Sequence, residues 1–182
     1  MLPCDNIPVL LLTGYLGSGK TTLLNRILSN RKGIRFAVIV NDIGEVNIDA
    51  TLIQKGGVVA QQDDNLIALQ NGCICCSLKM DLIQQLRDLC AANAFDYIVI
   101  EASGICEPAP IAQTIASYES MVPASSAPVP QLDAVVSVVD ALRLRDEFVE
   151  KLSDKSNTSD QSDLSQIVIN QIEFCNLILL NK

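Results

Sequence analysis

Histidine is absent from this 182-residue chain, and so is tryptophan. Without imidazole, any transition-metal site must be built from thiolates, carboxylates, water or a group supplied by a partner. Aromatic residues make up only 4%, in an otherwise ordinary composition of 49% apolar and 19% charged residues. No apolar run approaches the roughly 18 residues that a membrane-spanning helix needs. Positive charge is scarce as well: 13 Lys and Arg stand against 21 Asp and Glu, for a net charge of -8. An acidic chain with no basic cluster repels a phosphodiester backbone, so neither nucleic acid nor membrane is an expected partner. The opening residues MLPCDNIPVLLLTGYLG carry no basic segment ahead of their apolar run, which argues against a signal peptide and for a cytoplasmic location. Internal repeats are lacking too. The seven cysteines (Cys4, Cys73, Cys75, Cys76, Cys90, Cys106 and Cys175) are odd in number and without the spacing of a secreted disulfide framework.

What is present is an alternation of short apolar runs with helical patterns. PVLLLT (8 to 13), FAVIVN (36 to 41), DYIVIEA (96 to 102), DAVVSVVDA (133 to 141) and NLILLNK (176 to 182) read as strands. TTLLNRILSN (21 to 30), SLKMDLIQQLRDLCAAN (77 to 93) and LSQIVINQIEF (164 to 174) read as helices. Strands this continuously apolar are buried on both faces, which implies a parallel sheet flanked by helices. The expected class is α/β, a doubly wound, mostly parallel sheet in a single domain. SYESMVPASSAPVPQ (117 to 131) and the polar KLSDKSNTSDQSD (151 to 163) read as exposed loops inserted into this rhythm. The sequence reaches its last residue at the end of an expected strand, where the next loop ought to be functional, so a C-terminally truncated domain over 1 to 182 is the expectation.

The segment GYLGSGKT, Gly14 to Thr21, fits the pattern G-x-x-x-x-G-K-S/T and lies between an apolar strand and an amphipathic helix. In such a loop the glycines (Gly14, Gly17, Gly19), with Ser18 between them, let backbone N–H groups point inward around phosphate oxygens. The helix N-terminus adds its dipole and Lys20 reaches the outer phosphates. Thr21 offers its hydroxyl to Mg²⁺. A phosphate site of this kind needs a second carboxylate for the metal or its waters. Glu101 supplies one at the end of DYIVIEASG, with Gly104 three residues on, where backbone can swing toward a γ-phosphate. NDIGEVNIDA (41 to 50) carries Asp42, Glu45 and Asp49 around a glycine, as a γ-phosphate-sensing loop would, and equally as an ordinary acidic surface loop would.

NGCICCSLK (71 to 79) gathers three thiols. On a strand over 67 to 75, Cys73 and Cys75 face one side, and Cys76 joins them if the chain turns there. Adjacent Cα atoms are about 3.8 Å apart, below the disulfide window of roughly 4.4 to 6.8 Å, so a structural bridge is disfavoured. Three converging thiolates instead make a soft-metal site with an exchangeable fourth position, suited to Zn²⁺ and open to Co²⁺ or Ni²⁺. Small core residues and a redox switch are the alternatives.

Together, TGYLGSGKTTLL, NDIGEVNID, NGCICCSLK, IVIEASG, EPAP, VVSVVDA and LILLNK resemble the CobW-type metallochaperone GTPases, P-loop NTPases related to the GTPases that mature urease and hydrogenase. The resemblance implies that Gly14 to Thr22 bind the phosphates of GTP with Mg²⁺ and that Cys73, Cys75 and Cys76 bind metal, with Glu45 near the metal or the nucleotide. Lys20, Glu101 and Gly104 would be the catalytic elements. Asn181 and Lys182 match the first half of an N-K-x-D guanine motif, and the family's carboxy-terminal domain falls outside 1 to 182. The implied activity is slow GTP hydrolysis coupled to delivery of zinc, cobalt or nickel to a client metalloprotein, by a monomer or a metal-dependent dimer. A P-loop ATPase or kinase with structural cysteines, and a non-enzymatic metal or redox module, are the competing readings.

Overall fold

The computed structural model describes residues 6 to 29, 33 to 40, 53 to 55, 58 to 60, 66 to 70, 79 to 122, 127 to 146 and 159 to 182. Eight strands form one sheet: β1 (Ile7–Thr13), β2 (Phe36–Val40), β3 (Ile53–Lys55), β4 (Val58–Ala60), β5 (Leu66–Gln70), β6 (Tyr97–Glu101), β7 (Pro130–Asp140) and β8 (Leu177–Asn181). Their order is β3-β4-β5-β2-β6-β1-β7-β8, parallel from β5 through β8, with β3 and β4 added antiparallel at one edge. Six helices accompany the sheet among the described residues: α1 (Lys20–Leu28), α2 (Lys79–Ala92), α3 (Pro108–Ala116), α4 (Tyr118–Met121), α5 (Ala141–Leu144) and α6 (Ser159–Phe174).

The period-2 geometry of the strands divides the core into two layers. Ile7, Val9 and Leu11 of β1 face the cluster that includes Leu82, Leu86 and Leu89 of α2 and Ile111 and Ile115 of α3. Leu12, from the same strand, faces Leu24 of α1 together with Val38, Val99 and Val136. Every residue of β2 is buried, as expected for a parallel strand covered on both faces. On α2 the buried positions Leu82, Ile83, Leu86, Leu89 and Cys90 recur at helical spacing, and the helix stops where Asn93 takes a left-handed φ of 45°. Each fully buried aliphatic side chain of this kind contributes about 1.5 to 3 kcal/mol.

The expected doubly wound α/β class is the observed one, and three local expectations change. The polar stretch at 151 to 163 is not all loop: α6 begins at Ser159. The Pro- and Ser-rich segment at 117 to 131 holds the short α4, and β7 starts at Pro130, three residues before the expected strand. Among the described residues the apolar strand β8 pairs with β7 alone, and Leu177, Ile178 and Leu180 are exposed. The hairpin-forming β3 and β4 and the helix α3 carry no strong periodicity in sequence.

The C-terminal ends of β1, β6 and β2 lie level, because Glu101 pairs with both Leu12 and Val40, and Val40 pairs in turn with Gln70. Thr13, Val40, Gln70 and Glu101 therefore end their strands along one rim. That rim is where open α/β sheets bind ligands.

Candidate functional site

At this rim the chain turns from β1 into α1 through Gly14 to Gly19. Gly14 has φ 137°, and a side chain there would run into the backbone carbonyl of Val138 on β7. Gly19, at φ 109°, caps α1 without a side-chain hydrogen bond, and a Cβ on it would lie 2.5 Å from Nδ2 of Asn181. Only glycine satisfies both the left-handed backbone and the close approach.

Side-chain donors from four residues hold five successive carbonyls of this turn. The Lys20 ammonium donates to Gly14 O at 2.8 Å and Tyr15 O at 3.2 Å. Arg143 donates to Leu16 O at 3.4 Å, Lys182 to Gly17 O at 2.6 Å and Asn181 to Ser18 O at 2.9 Å. Within the loop Ser18 N–H closes a turn on Tyr15 O at 3.2 Å. No side chain caps the first turn of α1, and its earliest amide to bond within the helix is Leu23 N–H, on Gly19 O. A glycine loop at an uncapped helix N-terminus, with a buried lysine, has the makings of an anion cradle.

Beside it, Thr21 donates its hydroxyl to Oε1 of Glu101 at 3.1 Å, and Glu101 is 4% exposed at the end of β6. A hydroxyl paired with a buried carboxylate is the all-oxygen donor set that suits Mg²⁺. Gly104 packs its bare α-carbon on the loop: a Cβ there would lie 2.6 Å from Leu16 N. Thus Gly14, Gly17, Ser18, Gly19, Lys20, Thr21, Glu101, Gly104, Asn181 and Lys182 converge, with Thr22 exposed in the first turn of α1.

Residues that sequence reasoning missed complete the surroundings. Asp140 caps α5 by accepting from Arg143 N–H at 3.1 Å, and its other oxygen lies 3.4 Å from the Lys182 ammonium. The Arg143 amide first, and then Lys182, hold the Asp140 carboxyl below its ordinary range. The Arg143 guanidinium stacks 4.3 Å from the centre of the Tyr15 ring. Asp140 ends an apolar strand just as Glu101 does, and that signal was available in VVSVVDA; Arg143 gave none. A small cleft, open to solvent, is lined by Tyr15 and by residues of β7, α5 and α6.

The predicted metal residues Cys73, Cys75, Cys76 and Glu45, with Asp42 and Asp49, lie outside the described residues. Among the described residues no cluster of three His, Cys, Asp or Glu side chains is arranged to hold a metal ion. Cys90 is a buried core residue whose thiol is pushed up to about 11 by burial. Cys106 is buried, and Cys175 is half-buried just past α6.

Residues 8 to 182 match the family model described as the CobW/HypB/UreG nucleotide-binding domain. The chain belongs to this family. Among curated CobW-type relatives it is 40% identical over 195 residues to the "Zinc-regulated GTPase metalloprotein activator 1" of Dictyostelium discoideum, covering 98% of this chain and 40% of that protein. It is 31% identical over 188 residues to the "Zinc chaperone CobW" of Pseudomonas aeruginosa, covering 97% of this chain and 48% of that one. The crystal structure of Zn(II)-bound YjiA GTPase from E. coli superposes with a TM-score of 0.65 at 32% identity, over 98% of this chain and 50% of that chain. The chain therefore spans half or less of the length of these CobW-type proteins. The P-loop NTPase fold of the family is the fold described above. No helix among the described residues is long and apolar enough to cross a membrane.

Proposed function

We propose that this domain binds and slowly hydrolyses GTP, and that the hydrolysis cycle governs transfer of zinc to a client metalloprotein. The observation that carries the nucleotide half is the loop itself: carbonyls 14 to 18 each held by a side-chain donor of Lys20, Arg143, Lys182 or Asn181, beside the paired Thr21 and Glu101. Asn181 and Lys182 support guanine as the base, because both reach the phosphate loop from the strand that precedes the base-reading turn of an N-K-x-D motif. Loop amides and α1 bind the phosphates, and Lys20 exchanges its carbonyl partners for the outer phosphate oxygens. Thr21 and Glu101 would hold Mg²⁺, which would supply positive charge to offset that of the phosphates. Gly104, already against Leu16, offers its backbone to the γ-phosphate, and water is the nucleophile.

The zinc half rests on Cys73, Cys75 and Cys76, with Glu45 nearby, and draws support from the names of the relatives. It also draws on topology. Val40 and Gln70, from which the acidic and the cysteine segments depart, are paired neighbours beside Glu101. Zinc is cargo in this reading; cobalt and nickel are the competing ions. The protein works in the cytoplasm, as a monomer or a metal-dependent dimer, without nucleic acid or membrane.

Comparing GTP with ATP turnover by the chain and by Lys20→Ala tests the nucleotide half. GTP preference, lost with the lysine, is expected; a clear ATP preference or an indifferent Lys20→Ala rejects it. Zinc affinity measured with and without GTP tests the coupling, since linkage is reciprocal. Equal affinities reject it, and parental zinc binding by Cys73→Ser, Cys75→Ser and Cys76→Ser rejects the thiolate site.

A further inference from the structure

Gln171 on α6 is 1% exposed, an amide placed on the face that also presents Val168 and Ile172 to the cleft. Its Nε2 donates to Gly104 O at 3.1 Å and to Cys106 O at 3.0 Å. The amide orientation follows from this chemistry, because only the nitrogen can donate to two carbonyls. Its Oε1 is buried without a hydrogen bond. A core position that accepts the cost of an unsatisfied oxygen keeps glutamine for its donors. One residue earlier, Asn170 donates to Glu107 Oε1 at 3.0 Å, so α6 grips both ends of the turn from Gly104 to Glu107.

The same helix is pinned at its far end. Asn176, just past α6, donates its N–H to Val135 O at 2.8 Å and accepts from Val135 N–H at 2.9 Å. The chain then runs along β8 to Asn181 and Lys182, on the phosphate loop. One continuous arm, α6 followed by β8, thus touches the turn after Glu101 at one point and the phosphate loop at another. Gly104, between them, abuts Leu16.

We propose that Gln171, assisted by Asn170, is the positioning residue that presets the Gly104 turn against the phosphate loop, so that a γ-phosphate meets it already in place. Gln171 touches neither nucleotide nor metal. It acts by removing the ordering cost that the turn would otherwise incur when GTP arrives. The inference rests on the GTP reading above and extends it to how GTP is told from GDP. An isolated turn, with both carbonyls released, would sample positions away from Leu16 and lose the γ-phosphate contact while leaving the α- and β-phosphate cradle intact.

The test uses Gln171→Leu, which keeps the volume and removes the donors, and Asn170→Ala, a milder change at a partly exposed position that spares the core. Amide hydrogen exchange at 104 to 107 in the nucleotide-free chain is the first readout. Faster exchange confined to that turn is expected in both variants, more in Gln171→Leu. The second readout is affinity for GDP and for a non-hydrolysable GTP analogue. GDP affinity within about twofold of the parent, with the analogue weakened about five- to tenfold in Gln171→Leu, supports the proposal. Unchanged exchange at the turn in both variants overturns it whatever the nucleotide results. An analogue-to-GDP ratio equal to the parent's, or an analogue that binds more tightly, overturns it as well. Failure of the parent itself to bind guanine nucleotide sinks the GTP reading, a separate outcome visible without any variant. Should Gln171→Leu not fold, Asn170→Ala carries both readouts.

Discussion

Replacing Gly104 by alanine adds one methyl group at the point where the turn after Glu101 meets the phosphate loop. The new Cβ would lie 2.6 Å from Leu16 N and 2.8 Å from Leu16 Cγ and Cδ2. The leucine side chain, 39% exposed, can swing into solvent. Its backbone nitrogen has less freedom, since Arg143 holds the Leu16 carbonyl and Lys20 holds the two before it. Gly104 is not among the residues with a left-handed φ, so the penalty is steric rather than conformational. To restore an ordinary contact of 3.4 Å the turn must retreat by about 0.8 Å, while Gln171 holds its carbonyls. Overpacking of this kind costs about 1 to 3 kcal/mol. A misplacement approaching 1 Å at a reacting centre costs on the order of 10- to 100-fold in rate. Urea unfolding, fluorescent-GDP binding and single-turnover GTP hydrolysis measure the three consequences on one preparation. The expected result is a stability loss in that range, GDP affinity within about threefold of the parent, and turnover lowered about 10- to 100-fold. Parental turnover, or a GDP affinity that falls as far as the rate, would refute the steric reasoning.

Cys90 links stability to alkaline pH. Its folded pKa is about 11 against an ordinary 9.0, so the native state keeps the proton longer than the unfolded chain does. The contribution is complete below pH 9 and is lost as pH rises toward 11; the unfolding free energy from urea titrations should fall by about 1 to 2 kcal/mol across that window, and less steeply in Cys90→Ala. A parental slope in the variant assigns the loss elsewhere. Arg143 over Tyr15 makes a cation–π contact worth about 0.5 to 1 kcal/mol at such a site; a double-mutant cycle of Arg143→Ala with Tyr15→Ala should return a coupling of that size, and zero coupling removes the contact from consideration. Asn181→Ala deletes the hydrogen bond to Ser18 O; chemical denaturation should show a loss of about 0.5 to 1.5 kcal/mol, with GTP binding weakened more than tenfold. Equal GTP affinity would detach Asn181 from nucleotide recognition.

The phosphate loop, Glu101 and Gly104 were readable because each is a local event. A strand, a glycine turn and a helix contiguous in sequence dictate where the amides point, and a carboxylate ending an apolar strand sits at the strand's C-terminal rim in any parallel sheet. The doubly wound class followed for the same reason: FAVIV and YIVIE leave no polar face for solvent. LILL is largely exposed where the rule expects burial, and among the described residues its one strand neighbour is β7. Polar composition likewise hid the start of α6 at Ser159.

What sequence alone determined about this chain is that Gly14 to Thr21 form a glycine turn between a strand and a helix and that Glu101 ends a strand on the same rim, because both follow from neighbours along the backbone. Only the tertiary structure decided that Lys182, Asn181 and Arg143 hold the carbonyls of that loop and that Gln171 grips the turn at Gly104. Those contacts join residues 65 to 165 positions apart. No periodicity encodes such distances; they follow from the order in which parallel strands are laid side by side.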